Sequence, residues 1–173
     1  MDMSKSLEKE YNLLLKEKQK EVCISNVIKV ANYIINYSID IGKPVNILKL
    51  QKLLFYVQAY GLVNRVDLLQ CNFSLGRYGP LSYEVYELYR VCGNFEISCR
   101  VESFTLSCRE KELIERVVDS YTGYSGLDMV LKVCNEEICK VSIENGEGVL
   151  SSDCIKRFYI ENKSIILGKL EIK

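Results

Sequence analysis

Apolar residues are spaced for helices along most of the chain. The densest stretch, Asn46 to Gly61 (NILKLQKLLFYVQAYG), repeats Ile47, Leu50, Leu54 and Val57 at helical intervals, and Leu48, Leu53, Phe55, Tyr56, Ala59 and Tyr60 fill most of the remaining circumference. A helix that is apolar nearly all round belongs in an interior. The pattern therefore predicts a buried central helix over 47–60. Asn46 is its N-cap, because its side-chain oxygen can accept from an otherwise unpaired N–H of the first turn, and Gly61 ends it in the left-handed conformation. Lys49, Gln51, Lys52 and Gln58 on this helix need either a surface or a satisfied partner.

The flanking segments supply the elements that sheathe this helix. Residues 4–21 place Leu7, Tyr11, Leu14 and Leu15 on one stripe of an amphipathic helix, which either faces a partner or folds onto its own domain. Val27, Val30, Ala31, Ile34 and Ile35 give an apolar face to a helix over 26–39, stopped by Gly42 and Pro44. After a turn at Tyr78-Gly79-Pro80, Ser82 opens a helix over 83–91 that turns Val85, Leu88, Tyr89 and Cys92 inward. Residues 95–106 alternate weakly and suit a short strand or an extended arm. Ser107 with Glu110 forms a capping box for a helix over 108–121, with Leu113, Ile114, Val117, Val118 and Tyr121 inside. Ser125 with Asp128 forms a second box, for a helix with Leu127, Val130, Leu131 and Cys134 inside. Residues 135–150 read as a polar loop in which Asn145-Gly146 makes a tight turn and a small hairpin. Ser152 and Asp153 start a helix over 153–161 that buries Ile155, Phe158 and Tyr159. The tail 163–173 has apolar residues without a clean period, and adds an edge strand or covers the core. The prediction is a mainly α, compact, single-domain helical bundle with at most a short β-hairpin or edge strand. It divides into an N-terminal helical extension (1–23), a helical domain (24–162) and a C-terminal tail (163–173).

Composition narrows the function. At 173 residues and 48% hydrophobic content the chain suits one domain, which buries roughly 70% of its unfolded surface. Net charge is zero and the pI about 6.4, so no phosphate-neutralising excess exists and nucleic acid is not an expected partner. No run of ~20 apolar residues and no secretory h-region is present, which predicts a cytoplasmic protein without membrane contact. Histidine is absent, and with it any Ser-His or Cys-His couple, imidazole ligand or imidazole base. There are eight cysteines but no C-x-x-C; the nearest pair, Cys134 and Cys139, has poor spacing for zinc. They read as small buried thiols, and the alternative is a metal-binding or redox-sensing regulator using Cys134, Cys139, Glu136 and one further cysteine. No catalytic residue, metal site or cofactor is assigned, and the chain is not expected to be an enzyme.

Three stretches together resemble the Panacea domain, the SocA-like antitoxin group of bacteria and phages. They are KLQKLLFYVQAYGL at 49–62, Phe73 followed by RYGPLSYEVYELYR at 77–90, and DSYTGYSGLDMVLKVCNEEICK at 119–140 leading to SSDCIKRFY at 151–159. The likeness covers about 27–160. The family pattern has a tryptophan shortly before Tyr-Gly-Pro, where this chain has Leu75-Gly76-Arg77. It also has a His-x-Glu and then a tryptophan, where this chain has Cys134, Asn135, Glu136 and Cys139. The resemblance implies a mostly helical antitoxin that neutralises a cognate protein toxin by direct contact, with presentation to a protease complex as a further role. The expected contact surface is Arg77, Tyr78, Gly79, Pro80, Tyr83, Glu84 and Tyr86, because Arg and Tyr most often anchor interfaces, with Glu136 as the surviving member of the family's acidic motif. The competing reading of the 77–86 cluster is a turn that caps one helix against the central one.

Overall fold

A computed structural model of the chain describes residues 13–14, 25–146 and 148–162. The helices among them are α1 (Asn26–Asp40), α2 (Ile47–Val63), α3 (Tyr83–Tyr89, prolonged by a 3-10 turn over Arg90–Cys92), α4 (Cys108–Ser120), α5 (Gly126–Cys134), α6 (Glu137–Glu144) and α7 (Ser152–Glu161). Strands β1 (Phe73–Gly76), β2 (Gly79–Leu81) and β3 (Val149–Leu150) form an antiparallel sheet in the order β2-β1-β3. Helix α2 packs against α1, α3, α4, α5, α7 and β2. All but two of its seventeen residues, Leu48 and Val63, are buried. The mainly α bundle around a buried central helix is thus observed.

The start of α2 is as predicted, since Asn46 Oδ1 accepts from the Lys49 amide at 2.9 Å. Its end is not. Gly61 lies inside the helix, and the left-handed residue is Arg65 at φ 62. The Arg65 amide donates to the Leu62 carbonyl and the Val66 amide to the Gly61 carbonyl at 2.8 Å, a pairing that closes the last turn around a residue with positive φ. The role of Gly61 is close approach: a Cβ there would stand 2.6 Å from the Val66 carbonyl oxygen.

Helix α1 buries the predicted apolar face together with Asn32 and Asn36. These amides hold the segment after α3. Asn36 exchanges hydrogen bonds with Val101 at 3.0 Å in both directions, and Asn32 Nδ2 donates to the Glu102 carbonyl. The predicted strand or arm at 95–106 is therefore an extended arm, with an isolated bridge between Asn46 and Glu96. The α4 capping box and its inward face agree with prediction.

Three expectations are corrected. First, α5 is rotated: Gly126, Met129, Val130 and Val133 are buried, while Leu127 and Leu131 are 60% and 56% exposed. Gly126 sets this rotation, since a Cβ there would meet Asn46 Oδ1 at 2.6 Å and Leu48 Cβ at 3.2 Å, so only the bare backbone can face α2. Second, 137–144 is helix, with Ile138, Cys139 and Ser142 inward and Gly146 at φ 70 after its end. Third, the hairpin sits at 73–81, joined by Arg77-Tyr78 with Gly76 opposite Gly79, and Gly79 and Pro80 are strand residues rather than turn residues. Helix α7 is capped by Ser151, one residue before the predicted start, and Phe158 is only partly buried. The predicted N-terminal helix lies outside the described residues apart from Leu13 and Leu14, both helical and exposed; the tail 163–173 lies wholly outside them.

Gly61→Ala forces the Val66 carbonyl to move and is expected to cost roughly 1–3 kcal/mol. Gly123→Ala, where nothing lies within 4 Å, is expected to fall within about 0.5 kcal/mol of wild type. Urea unfolding of the two variants side by side checks the difference.

Candidate functional site

The buried polar side chains of α2 decide how the surrounding segments are held. Lys49 Nζ donates to the Thr122 carbonyl at 3.3 Å, between α4 and α5. Gln51 pairs with the backbone of Ser82 in both directions, Nε2 donating to the carbonyl at 3.1 Å and Oε1 accepting from the amide at 2.8 Å. Lys52 Nζ donates to the Pro80 carbonyl at 2.7 Å. Gln58 donates to Asp67 and to Ser152 Oγ, and accepts from the Leu69 amide. The β2–α3 junction is thus fastened from below by two adjacent residues of the central helix.

Above that base stand the predicted contact residues. Arg77 and Tyr78 form the exposed hairpin tip, the guanidinium lying 5.7 Å from the centre of the Tyr78 ring. Gly79 and Pro80 are buried; Gly79 adopts φ 82, and a Cβ there would press on Val133 Cγ1 at 3.1 Å and Cys134 Sγ at 3.2 Å. These two are supports and not contact residues. Tyr83 and Tyr86 lie exposed one helical turn apart on α3, with ring centres 6.4 Å apart. Glu84 is exposed and accepts from Ser25 Oγ at 2.5 Å, tying α3 to the start of α1. The structure does not bring Glu136 to this face.

Glu136 is instead buried at the start of α6. It accepts from the Tyr56 hydroxyl at 2.7 Å and from the Tyr159 hydroxyl, so one carboxyl joins α2, α6 and α7. Tyr121 stacks on Tyr56 with centres 4.7 Å apart. Burial, reinforced by Glu136, pushes the phenols of Tyr56 and Tyr159 far above their usual range. Burial and then Glu136 push the Cys139 thiol up to about 12. Lys52 moves the other way: burial lowers it to about 8, against a smaller opposing pull from Cys134 and Cys139.

No family model, curated protein or solved structure matches this chain. The site is therefore read from its own geometry. Among the described residues, seven cysteines are free thiols and no three His, Cys, Asp or Glu side chains are grouped to hold a metal ion. Cys134, Cys139 and Glu136 accordingly do not form the predicted alternative metal centre. No helix among the described residues is long and apolar enough to cross a membrane.

The sequence reading missed two features. The outer face of α5 carries Leu127 and Leu131, and Lys132 Nζ on the same helix lies 5.0 Å from the centre of the ring of Tyr124, which precedes it. Their i, i+4 spacing was legible, but it pointed inward until Gly126 is recognised as the buried position. The tyrosine–carboxylate junction unites Tyr56 of the apolar helix, Tyr159, which the sequence places inside, and Glu136, which it places on the contact surface, and only the fold brings the three together.

Glu136→Ala deprives two buried phenols of this acceptor and is expected to cost on the order of 2–4 kcal/mol, against about 1 kcal/mol for Tyr159→Phe, in chemical denaturation. Lys52 supplies a pH test. Its pKa falls from 10.5 to about 8 on folding, so the unfolded chain binds more protons between those values and folding is favoured as pH rises. Wild-type stability relative to Lys52→Met should gain roughly 2 kcal/mol between about pH 7 and pH 9.5. A difference that stays constant with pH contradicts the buried ammonium.

Proposed function

We propose that this chain is an antitoxin-like binding protein that neutralises a cognate protein toxin by direct contact, using the hairpin tip and the outer face of α3. The observation that carries this reading is the contrast between tip and base. Tyr78, Tyr83 and Tyr86 are 51%, 64% and 38% exposed, whereas Gln51 and Lys52, which fasten the same segment from beneath, are 2% and 1% exposed. Large aromatic side chains beside an arginine are the groups that most often anchor protein interfaces. Holding them on a fixed base lowers the conformational cost of binding.

The resemblance of 27–160 to the Panacea domain supplies the class of partner: a toxin, with delivery to a protease complex as a second role. In this reading the protein works in the cytoplasm, binds without turnover and has no nucleic-acid partner. Arg77, Tyr78, Tyr83 and Tyr86 are the contact residues, with Glu84 at the edge of the face. Gly79 and Pro80 shape the tip, and Glu136 acts only through the packing of α6 and α7. A thiol-based regulator is the weaker reading, because the raised pKa of Cys139 makes it a poor nucleophile near neutral pH.

Affinity capture from the host with the tagged protein tests the proposal. Wild type is expected to retain one specific protein, and Tyr78→Ala combined with Tyr86→Ala to weaken that complex by at least about 30-fold, equivalent to roughly 2 kcal/mol, with an unchanged unfolding midpoint. Absence of any specific partner in both samples rejects the reading.

A further inference from the structure

The Asn145-Gly146 pair, which the sequence reads as a tight turn, lies at the end of α6, and Asn145 is the one asparagine of the chain that glycine follows. Most asparagine amides in the fold are tied down. Asn32 and Asn36 hold the arm after α3, Asn64 and Asn162 donate to the carbonyls of Tyr60 and Phe158, and Asn46 caps α2. Asn145 is exposed, and among the described residues no hydrogen bond holds its side-chain amide. Gly146 is exposed as well, and a Cβ built on it would meet nothing within 4 Å, so neither a side chain of its own nor a neighbour crowds the junction.

A backbone nitrogen one residue along the chain can close a five-membered ring on such an amide. The Gly146 nitrogen gives its proton to water and forms a bond to Asn145 Cγ; the bond from Cγ to Nδ2 breaks, and ammonia leaves with a proton taken from water. Water then opens the succinimide at one of its two C–N bonds. Cleavage at Cγ yields aspartate, and cleavage at the backbone carbonyl carbon yields isoaspartate, whose chain runs through Cγ. Water is the sole co-reactant.

The folded backbone resists the first step. At the Asn145 ψ of -2 the Gly146 nitrogen eclipses the Asn145 nitrogen, whereas ring closure needs it beside Cβ. The peptide plane must swing round, which breaks the 3.0 Å bond from the Gly146 amide to the Ile143 carbonyl. This guard is weak, because Val141, Ile143 and Glu144 in the last turn of α6 are exposed and only Ser142 is buried there. Segments with so little burial open locally at far less cost than the whole fold.

We propose that Asn145 is a spontaneous deamidation site whose rate is set by fraying of the last turn of α6. Either product places a carboxylate at the negative end of the α6 dipole, next in the chain to Glu144. The isoaspartyl product also lengthens the backbone of the short link between α6 and β3. The site is independent of the proposed partner face.

Peptide mapping of the full chain by mass spectrometry tests this, following residue 145 in the folded chain and in the same chain in guanidinium chloride at the same mildly alkaline pH and temperature. Asn145 is expected to convert in both, about 10-fold to 100-fold more slowly when folded. Val141→Gly combined with Ile143→Gly, both at exposed positions, should speed the folded rate at least about threefold, with cooperative unfolding retained and the denatured rate unchanged. A folded rate equal to the denatured rate removes the guard and overturns the proposal. A folded chain that keeps Asn145 intact through about a hundred denatured half-lives removes the site and overturns it too. An unchanged folded rate in the double-glycine variant does the same.

Discussion

The structure depends on the rule that a polar group removed from water must be given a partner. Helix α2 is buried on every side yet carries Lys49, Gln51, Lys52 and Gln58, and each can be accommodated only by a specific backbone or side-chain atom of another segment. Thr122, Ser82, Pro80, Leu69 and Ser152 supply those atoms. Apolar packing is tolerant of small slips, whereas an ammonium bound to one carbonyl is not. The central helix therefore fixes the register of the loops around it as well as filling the core.

This rule also accounts for where the exposed residues stand. Gln51 and Lys52 are consecutive and both point at the same junction, so Pro80 and Ser82 are held two residues apart from below. The strand pairing of Gly76 with Gly79 then leaves Arg77 and Tyr78 as the only residues between the two strands, and they must project outward. Beyond Ser82, the helical period turns Val85, Leu88 and Tyr89 inward and leaves Tyr83 and Tyr86 on the outside. A face of tyrosines on a fastened base follows from these interior constraints.

How much of this was legible in the chain depends on the range of the interactions. The capping boxes at Ser107 and Ser125 and the N-cap at Asn46 operate over three residues, and the sequence displays them directly. The apolar faces of α1 and α4 repeat cleanly and were equally plain. The rotation of α5 was hidden because a glycine carries no hydropathy signal, although Gly126 is the position that touches Asn46 and Leu48. Helix α6 was hidden by its exposed charges, since only Ile138, Cys139 and Ser142 face inward over eight residues. At the candidate face, the exposure of Tyr78, Tyr83 and Tyr86 could be anticipated, but the separation of Glu136 from it could not. That separation is decided by Tyr56 and Tyr159, which are 80 and 23 residues away.

The placement of Glu136 depends on the side chains that surround it inside the bundle. Its neighbours in the sequence, Cys134 and Cys139, bring neither ring volume nor a titratable imidazole next to the acid. Here aromatic volume around the acid comes from elsewhere: Tyr56 stacks on Tyr121, and Tyr159 packs edge-on to Phe55 and Phe158. Two of these tyrosines also supply the donors that the carboxyl requires. Cys139, fully buried with its thiol held protonated by burial and by Glu136, fits the remaining space as a small apolar group. Small thiols beside it therefore leave the acid satisfied inside the bundle, where it secures α6 and α7 to α2, away from the tyrosines exposed at the hairpin tip and on α3.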